Sequence, residues 1–328
     1  MHTASFEGVR DAARQLSGVA VRTPLVESPA LNDRLGGRVL LKCETLQHAG
    51  AFKFRGAWNR ISRLTPDELA RGVVAYSSGN HAQAVAAAAR RMGTSAIIVM
   101  PADSPRVKVE GVIAFGGEVR SYDRYRESRE AIGEEIARTR GSVLVRPFDD
   151  PFVIEGQGTT GLEIVEQAQE IDAPIDQLLC GTSGGGLIAG INLTLAALAP
   201  DVPVIGVEPA AYDDTRRSLA AGARMTHPPV DKPSICDALM TDRPGELTFP
   251  INRRLREVVT VSDAEVAEAV RVAFRTLKLV VEPGGAVSLA ALLAGKVEAR
   301  DRTSAIVLSG GNVDPGLFAD IIQERFVP

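Results

Sequence analysis

One lysine of the chain lies between two aromatic side chains at the predicted start of a helix. Lys53 follows Phe52 and precedes Phe54, and the predicted helix covers residues 53–64. Apolar and aromatic neighbours exclude water from an ammonium group, which lowers the lysine pKa and favours the neutral amine that attacks carbonyl groups. Lys53 is therefore a candidate Schiff-base lysine. The alternative is a solvated cation near a helix start.

A second polar segment, residues 77–83, follows a strand-like run of residues 73–76 and precedes an Ala-rich stretch that is typical of a helix. Capping of that helix would account for one serine or asparagine. It does not account for Ser, Asn, His and Gln packed together, and open α/β sheets bind ligands at the carboxyl ends of their strands. The turn is predicted to face a ligand. Its candidate residues are Ser77, Ser78, Gly79, Asn80 and His81.

A third segment is rich in glycine and lies between an apolar strand of residues 177–180 and an apolar helix of residues 187–198. Glycines allow the backbone to approach an anion, and the N–H groups at a helix start point toward it. The segment predicts a phosphate cradle, and the missing Gly-Lys-Ser/Thr ending argues against a nucleoside triphosphate. Its residues are Gly181, Thr182, Ser183, Gly184, Gly185, Gly186 and Leu187.

A fourth segment follows the buried-looking strand of residues 305–308. Ser309 and Gly310 begin it, and Asn312 ends it. A hydroxyl group at the carboxyl end of a strand can donate a hydrogen bond to a heterocyclic nitrogen in a neighbouring crevice.

These four segments come in the order and spacing of a known family. Between residues 22 and 312 the chain resembles the fold-type II pyridoxal-phosphate (PLP) enzymes, in the branch of threonine/serine dehydratases (ammonia-lyases) and serine racemases. Supporting motifs lie at residues 42–47, 146–151, 156–159, 207–209, 244–248 and 282–286.

The resemblance implies pyridoxal 5'-phosphate as cofactor, a small amino acid as substrate and a homodimer or homotetramer. Lys53 would hold the cofactor aldehyde and then remove the α-proton of the substrate, whose carboxylate would meet residues 77–81. Asn80 would meet the ring hydroxyl and Ser309 the ring nitrogen. The implied cofactor-binding residues are Phe52, Lys53, Asn80, Gly181, Thr182, Ser183, Gly184, Gly185, Gly186, Leu187, Glu282, Ser309 and Gly310.

The implied reaction is β-elimination, in which L-threonine or L-serine is dehydrated and deaminated to a 2-oxo acid and ammonia. Two departures leave the substrate open: Ala51 replaces a usual serine, and residues 236–238 read Cys-Asp-Ala where relatives commonly read Ala-Asp-Gly. The alternatives are 3-hydroxyaspartate or a hydroxyectoine-derived amino acid as substrate.

Serine racemase activity is the other enzymatic alternative. In that reaction Ser78 would be the acid–base group on the face of the substrate opposite Lys53. Phe148 stands where serine racemases carry asparagine, which favours the lyase. Residues 244–248 argue against cysteine synthase chemistry. Lys53 argues against a catalytically silent PLP-binding regulator.

A metal site is a further expectation. By the same resemblance, Glu208, the carbonyl of Tyr212 and Asp214 would hold Mg²⁺ or Ca²⁺, which take oxygen ligands. The alternative is a solvated acidic turn that caps a helix beginning near Asp214.

Strand and helix patterns alternate along the chain and predict an α/β fold with mostly parallel sheets flanked by helices. Strands are predicted near residues 38–42, 73–76, 96–100, 117–121, 176–180, 203–207 and 304–308, and helices at 124–138 and 263–277. Residues 156–161 match the dinucleotide pattern GxGxxG but are expected inside a helix. The resemblance implies two domains: a large PLP-binding domain of residues 1–50 plus 149–328, and a small inserted domain of residues 51–148.

Composition excludes several classes of function. The 328 residues carry a net charge of −4, with a pI near 5.7, which gives no electrostatic footprint for nucleic acid or an anionic membrane. The three cysteines form no close pair, so neither a disulfide framework nor a zinc site is indicated. With no long apolar run and no apolar signal region, a cytoplasmic protein is expected.

Overall fold

The computed structural model of the protein describes residues 2–77, 79–104 and 106–328. In these ranges the strands form one six-stranded sheet and one four-stranded sheet. The strands are Leu25–Glu27 (β1), Arg38–Cys43 (β2), Val73–Tyr76 (β3), Ala96–Pro101 (β4), Glu118–Tyr122 (β5), Val143–Leu144 (β6), Gln177–Gly181 (β7), Val204–Pro209 (β8), Glu257–Val261 (β9) and Thr303–Leu308 (β10).

Both sheets are largely parallel. The larger sheet has the order β1-β2-β10-β7-β8-β9, and its edge strand β1 is antiparallel to β2. The smaller sheet has the order β5-β4-β3-β6 and is parallel throughout. Central strands such as β4 bury every residue, because helices cover both faces of a parallel sheet. Parallel pairing brings the carboxyl ends of neighbouring strands to one edge, where ligand sites form.

Helices connect and cover the strands. They are Phe6–Leu16 (α1), Pro29–Leu35 (α2), Lys53–Ile61 (α3), Pro66–Arg71 (α4), Asn80–Arg91 (α5), Arg106–Ala114 (α6), Arg129–Arg140 (α7), Pro151–Glu170 (α8), Gly186–Leu198 (α9), Asp214–Ala221 (α10), Thr248–Asn252 (α11), Asp263–Val272 (α12), Pro283–Leu293 (α13) and Pro315–Ile322 (α14). The predicted α/β fold is confirmed. Each predicted strand lies within two residues of an observed one.

The GxGxxG pattern lies inside α8, as expected, and serves helix packing. A Cβ atom on Gly158 would lie 2.6 Å from the Val9 side chain, and one on Gly190 would lie 2.4 Å from the Gly158 nitrogen. The glycines therefore allow α8 to contact α1 and α9 at backbone distance.

Two predicted helix boundaries were wrong. Helix α3 ends at Ile61 and not at residue 64, and α7 begins at Arg129 and not at residue 124. The start of α7 is fixed because Ser128 Oγ accepts the Ala131 N–H, which caps the helix. The predicted helix of residues 263–277 is α12 followed by a π-helical turn, Ala273–Leu277. Among the described residues, no helix is both long and apolar enough to cross a membrane.

Candidate active site

Lys53 begins α3 and faces a pocket whose walls come from both sheets. Its Nζ donates a hydrogen bond to the Pro147 carbonyl at 2.7 Å and lies 5.1 Å from the centroid of the Phe52 ring. Burial of the ammonium group lowers the pKa of Lys53 to about 8. An appreciable fraction of the amine is therefore neutral near neutral pH, as nucleophilic attack requires.

The glycine-rich loop forms another wall of the pocket, between β7 and α9. Gly185 has φ +88°, a left-handed conformation that favours glycine. A Cβ atom on Gly184 would lie 2.4 Å from the Phe148 ring, and one on Gly186 would lie 2.9 Å from Phe148 Cβ. Side chains are therefore excluded on the face of the loop that Phe148 covers.

Hydrogen bonds from α11 fix the carbonyl groups of this loop. Thr248 Oγ1 donates to the Gly184 carbonyl at 2.6 Å, and Asn252 Nδ2 donates to the Gly185 carbonyl at 3.1 Å. The first turn of α9 has no side-chain cap, so its N–H groups remain available to a ligand. Thr182 Oγ1 is buried and has no hydrogen-bond partner among the described residues. These donors suit an anion.

Asn80 is held at the pocket by hydrogen bonds from both sides. Its Nδ2 donates to Glu282 Oε1 at 2.5 Å, and its Oδ1 accepts from Asn312 Nδ2 at 2.8 Å. Glu282 is 3% exposed, and burial raises its pKa to about 8. The network fixes the orientation of the Asn80 amide.

His81 is a neutral side chain in the wall of the pocket. Its Nε2 lies 2.9 Å from the Val145 carbonyl, which can only accept, so Nε2 carries the proton. Burial and then the charge of Lys53 lower the pKa of His81 to about 3. Its Nδ1 is buried with no partner in the described ranges, and it presents a lone pair.

The structure brings most of the predicted site residues together around one pocket, and the roles assigned to them remain predictions. Ser78 lies outside the described residues. Gly310 lies next to the pocket, since its carbonyl accepts a hydrogen bond of 3.0 Å from the backbone N–H of the pocket residue Glu282. The predicted residues that line the pocket are Phe52, Lys53, Ser77, Gly79, Asn80, His81, Gly181, Thr182, Ser183, Gly184, Gly185, Gly186, Leu187, Glu282 and Ser309.

Other pocket residues were not assigned from the sequence. Residues 146–151 form one of the supporting motifs, but nothing in the local sequence indicates that the Pro147 carbonyl contacts Lys53. Lys108, at the start of α6, and Arg129, at the start of α7, also line the pocket. Both side chains come to the pocket because α6 and α7 pack against strands of the smaller sheet.

Comparison with known proteins shows the family of the chain. Residues 16–310 match the family described as "Pyridoxal-phosphate dependent enzyme". The chain belongs to this family. It is 42% identical to L-threo-3-hydroxyaspartate ammonia-lyase of Pseudomonas sp. (98% of this chain, 100% of the relative) and 41% identical to serine racemase of Arabidopsis thaliana (97% and 96%). The crystal structure of the threonine deaminase from T.th. superposes with a TM-score of 0.87 at 42% identity, covering 94% of this chain and 99% of that one.

The cofactor of this PLP-dependent enzyme is therefore pyridoxal phosphate, and the pocket fits it. A buried amine of lowered pKa suits the aldehyde. The uncapped start of α9 and the unpartnered Thr182 hydroxyl suit the phosphate. Phe52 offers an aromatic ring beside Lys53. The same pocket thus holds groups for each part of the cofactor.

The predicted metal ligands lie away from this pocket, at the end of β8 and the start of α10. Glu208 accepts hydrogen bonds from the backbone N–H groups of Thr215 and Arg216 at 2.9 and 3.0 Å. Asp214 is buried, and neither of its carboxylate oxygens has a partner among the described residues. Burial raises the pKa of both carboxyl groups, and their mutual repulsion adds to the shift for Asp214. No group of three or more His, Cys, Asp or Glu suited to a metal occurs in the described ranges.

Proposed function

We propose that this enzyme eliminates the 3-hydroxyl group of a small amino acid and releases a 2-oxo acid and ammonia. The observation that carries the proposal is the buried Lys53 amine in one pocket with the glycine-rich loop and Ser309. The relatives named L-threo-3-hydroxyaspartate ammonia-lyase and threonine deaminase support the reaction class. The substrate class is a 3-hydroxy amino acid.

Lys53 is the proposed attachment point of the cofactor aldehyde and the base that takes the α-proton of the substrate. When bound, the cofactor supplies an electron-withdrawing ring that stabilises the charge left by that proton. The Pro147 carbonyl holds the Nζ of free Lys53 in the pocket through its 2.7 Å hydrogen bond. Loss of the hydroxyl as water, followed by hydrolysis, balances to one 2-oxo acid and one ammonia.

The cofactor contacts are also proposals. Residues 181–187 bind the phosphate, Phe52 packs against the ring, and Asn80, held by Glu282, meets the ring hydroxyl. Ser309 meets the ring nitrogen with Gly310 beside it. A serine leaves that nitrogen largely unprotonated, which favours prompt elimination over transamination.

The substrate carboxylate is proposed to bind at the amino terminus of α5. The positive end of a helix attracts an anion, and Ser77, Gly79, Asn80 and His81 surround this helix start in the pocket wall. Gly79 N donates to Ser77 Oγ at 3.2 Å, which supports a tight turn there.

The direct test is product analysis with the holoenzyme. L-serine, L-threonine and L-threo-3-hydroxyaspartate are supplied in turn, and ammonia and 2-oxo acid are measured. At least one substrate should give both products in equal amounts, and Lys53→Ala should lower turnover by at least about a thousandfold. Absence of ammonia from all three, with the cofactor bound, would overturn the proposal.

Racemisation is the second candidate, because the chain is 41% identical to a protein named serine racemase. It requires an acid–base group on each face of the substrate, and Ser78 is the proposed second group. Ser78→Ala should then lower racemisation much more than elimination. Equal losses of both activities would make Ser78 a residue of carboxylate binding or structure.

A divalent cation is proposed at Glu208, Asp214 and the Tyr212 carbonyl. Two buried carboxylates, one of them with both oxygens unpartnered among the described residues, support a hard cation. Mg²⁺ or Ca²⁺ should raise the melting temperature, chelator should reverse the rise, and Asp214→Asn should abolish the response. The site would be contradicted if a metal-free preparation is fully active and chelator does not change its melting temperature.

The domain division, assembly and location are further proposals. We propose two domains, residues 1–50 plus 149–328 and residues 51–148, since the smaller sheet falls wholly within the latter range. Light scattering after size-exclusion chromatography should give a homodimer or homotetramer of the 34.8 kDa chain, and a monomer would contradict this. Three buried free cysteines support a cytoplasmic location, which imaging of the tagged protein tests.

A further inference from the structure

One ion pair crosses the pocket between the two sheets. Lys108 Nζ, on α6 beside the smaller sheet, pairs with the Asp237 carboxylate. Asp237 begins the short 3₁₀ helix Asp237–Leu239, which packs on α13 beside the larger sheet. Both side chains line the same pocket as Lys53. A carboxylate–ammonium contact therefore already exists on the wall of the proposed substrate site.

The two members of this pair differ in their freedom to move. The Lys108 side chain is 12% exposed, whereas the Asp237 side chain is 43% exposed. Asp237 can turn into water at little cost, because water replaces its ionic partner. Lys108 is enclosed and would be left with an unpaired charge, which is costly in a pocket. The Lys108 ammonium therefore stays in the pocket wall, and another carboxylate can replace that of Asp237 as its partner.

The other basic side chains of the pocket wall are engaged elsewhere. Lys53 is the proposed anchor of the cofactor. Arg129 Nε donates to Glu130 at 2.8 Å, and the Arg129 guanidinium lies 5.7 Å from the centroid of the Tyr76 ring. The Arg129 side chain is 41% exposed and its partner Glu130 is 49% exposed, so water already screens that pair. Lys108, at 12% exposed, is the more enclosed of these two cations in the described pocket wall.

Substrates of the proposed reaction differ in the need for such a cation. Serine and threonine carry one carboxylate, which the start of α5 can receive. A 3-hydroxy dicarboxylic amino acid carries a second carboxylate on its side chain, and burial of that charge requires a partner. An ammonium group has three N–H donors, so it can donate hydrogen bonds to carboxylates that approach from different directions.

We propose that Lys108 binds the side-chain carboxylate of a dicarboxylic 3-hydroxy amino acid, in the place that Asp237 takes when substrate is absent. Lys108 is then the residue that determines specificity for a substrate such as L-threo-3-hydroxyaspartate. This inference rests on the proposed elimination reaction and names the substrate class of the same pocket.

The test compares kcat/KM for L-threo-3-hydroxyaspartate and L-serine in the holoenzyme. Lys108→Met keeps the length of the side chain and removes its charge, and the ratio of the two kcat/KM values should fall by about 30-fold or more. Lys108→Arg keeps the charge and should retain most of the ratio. An unchanged ratio in Lys108→Met would overturn the inference.

A binding measurement on the unaltered enzyme tests the same inference even if the Lys108 variants do not fold. L-aspartate and L-alanine lack the 3-hydroxyl, so they compete with L-serine without elimination. L-aspartate should have an inhibition constant at least about tenfold lower than that of L-alanine. Equal constants would overturn the inference. If the enzyme turns over serine but shows no preference for dicarboxylates, the role of Lys108 in specificity is contradicted and the proposed elimination reaction is still supported. If no 3-hydroxy amino acid is turned over, the proposed function itself fails.

Discussion

At the scale of single residues, the site depends on how Lys53 is held. Its Nζ contacts the Pro147 carbonyl and lies beside the Phe52 ring, and burial lowers the pKa of the amine to about 8. A carbonyl acceptor fixes the position of the amine without supplying the negative charge that would raise its pKa. The residue is thus both positioned and partly neutral.

The lowered pKa of Lys53 predicts how cofactor uptake depends on pH. Below about pH 8 the amine of the apoenzyme is mostly protonated and cannot attack an aldehyde. The rate of uptake, followed by absorbance, should therefore rise as pH increases through about 8 and then level off. Pyridoxamine phosphate, which lacks the aldehyde, should show no such rise. A flat profile between about pH 7 and about pH 9 would contradict the environment assigned to Lys53.

Gly184 predicts a second effect at this scale. In Gly184→Ala the new methyl group would lie 2.4 Å from the Phe148 ring, so the loop or the ring that covers it must shift. Cofactor affinity should fall at least about tenfold, and stability should fall by about 1–3 kcal/mol.

Gly295→Ala is the matched control, because Gly295 has φ +65° and open space around its Cβ position. It should cost about 1–2 kcal/mol of stability and leave cofactor affinity unchanged. Spectroscopic titration and urea unfolding measure the two quantities. Normal cofactor affinity in Gly184→Ala would show that the loop does not bind the phosphate.

At the scale of elements, sequence patterns predicted the central strands and the edge strand β5, and missed the edge strands β1, β6 and β9. Strands β3 and β4 are apolar runs bounded by turns, and they were located within one residue. Strands β1 and β6 have three and two residues, too few for a pattern, and exist because a neighbour pairs with them. The start of α7 was misplaced because residues 124–127 have helical composition but form a turn before the Ser128 cap.

A buried ionic cluster joins α3 to α8 and to the 3₁₀ turn Glu44–Leu46 that follows β2, and local sequence gave no sign of it. Arg55 is fully buried and donates two hydrogen bonds of 2.8 Å to Glu44 and two of 2.7 and 2.8 Å to Glu163. Burial would raise the pKa of Glu44, but the charge and hydrogen bonds of Arg55 outweigh it, and the pKa is lowered. Glu163 is 108 residues from Arg55, so only the folded chain brings them together.

The cluster predicts a large loss of stability when one partner is neutralised. Glu44→Gln leaves Arg55 incompletely paired and should lower the free energy of unfolding by about 3 kcal/mol. Glu27→Gln removes a similar contact to Arg38, but there the two side chains are 29% and 35% exposed, and the loss should stay below about 1 kcal/mol. Urea unfolding of both variants measures the difference. Equal losses would show that burial of the cluster contributes nothing.

At the scale of the whole molecule, the pocket is assembled from both sheets. Lys53, residues 77–81 and the glycine-rich loop were predicted because each is an unusual local motif at a strand or helix end. Lys108 and Arg129 were missed, because a basic residue on a helix is ordinary until the fold turns it toward a pocket. Sequence therefore reveals the residues with special local chemistry, and the fold reveals those that act through position.

The central claim is that this pocket holds pyridoxal phosphate on Lys53. Borohydride reduction of the holoenzyme followed by peptide mass spectrometry tests it most directly, because reduction fixes the cofactor on the lysine that carries it. We expect a label on the peptide that contains Lys53, and no label in Lys53→Ala. A label on Lys42, which is buried against Glu163, or on Lys108 would contradict the site.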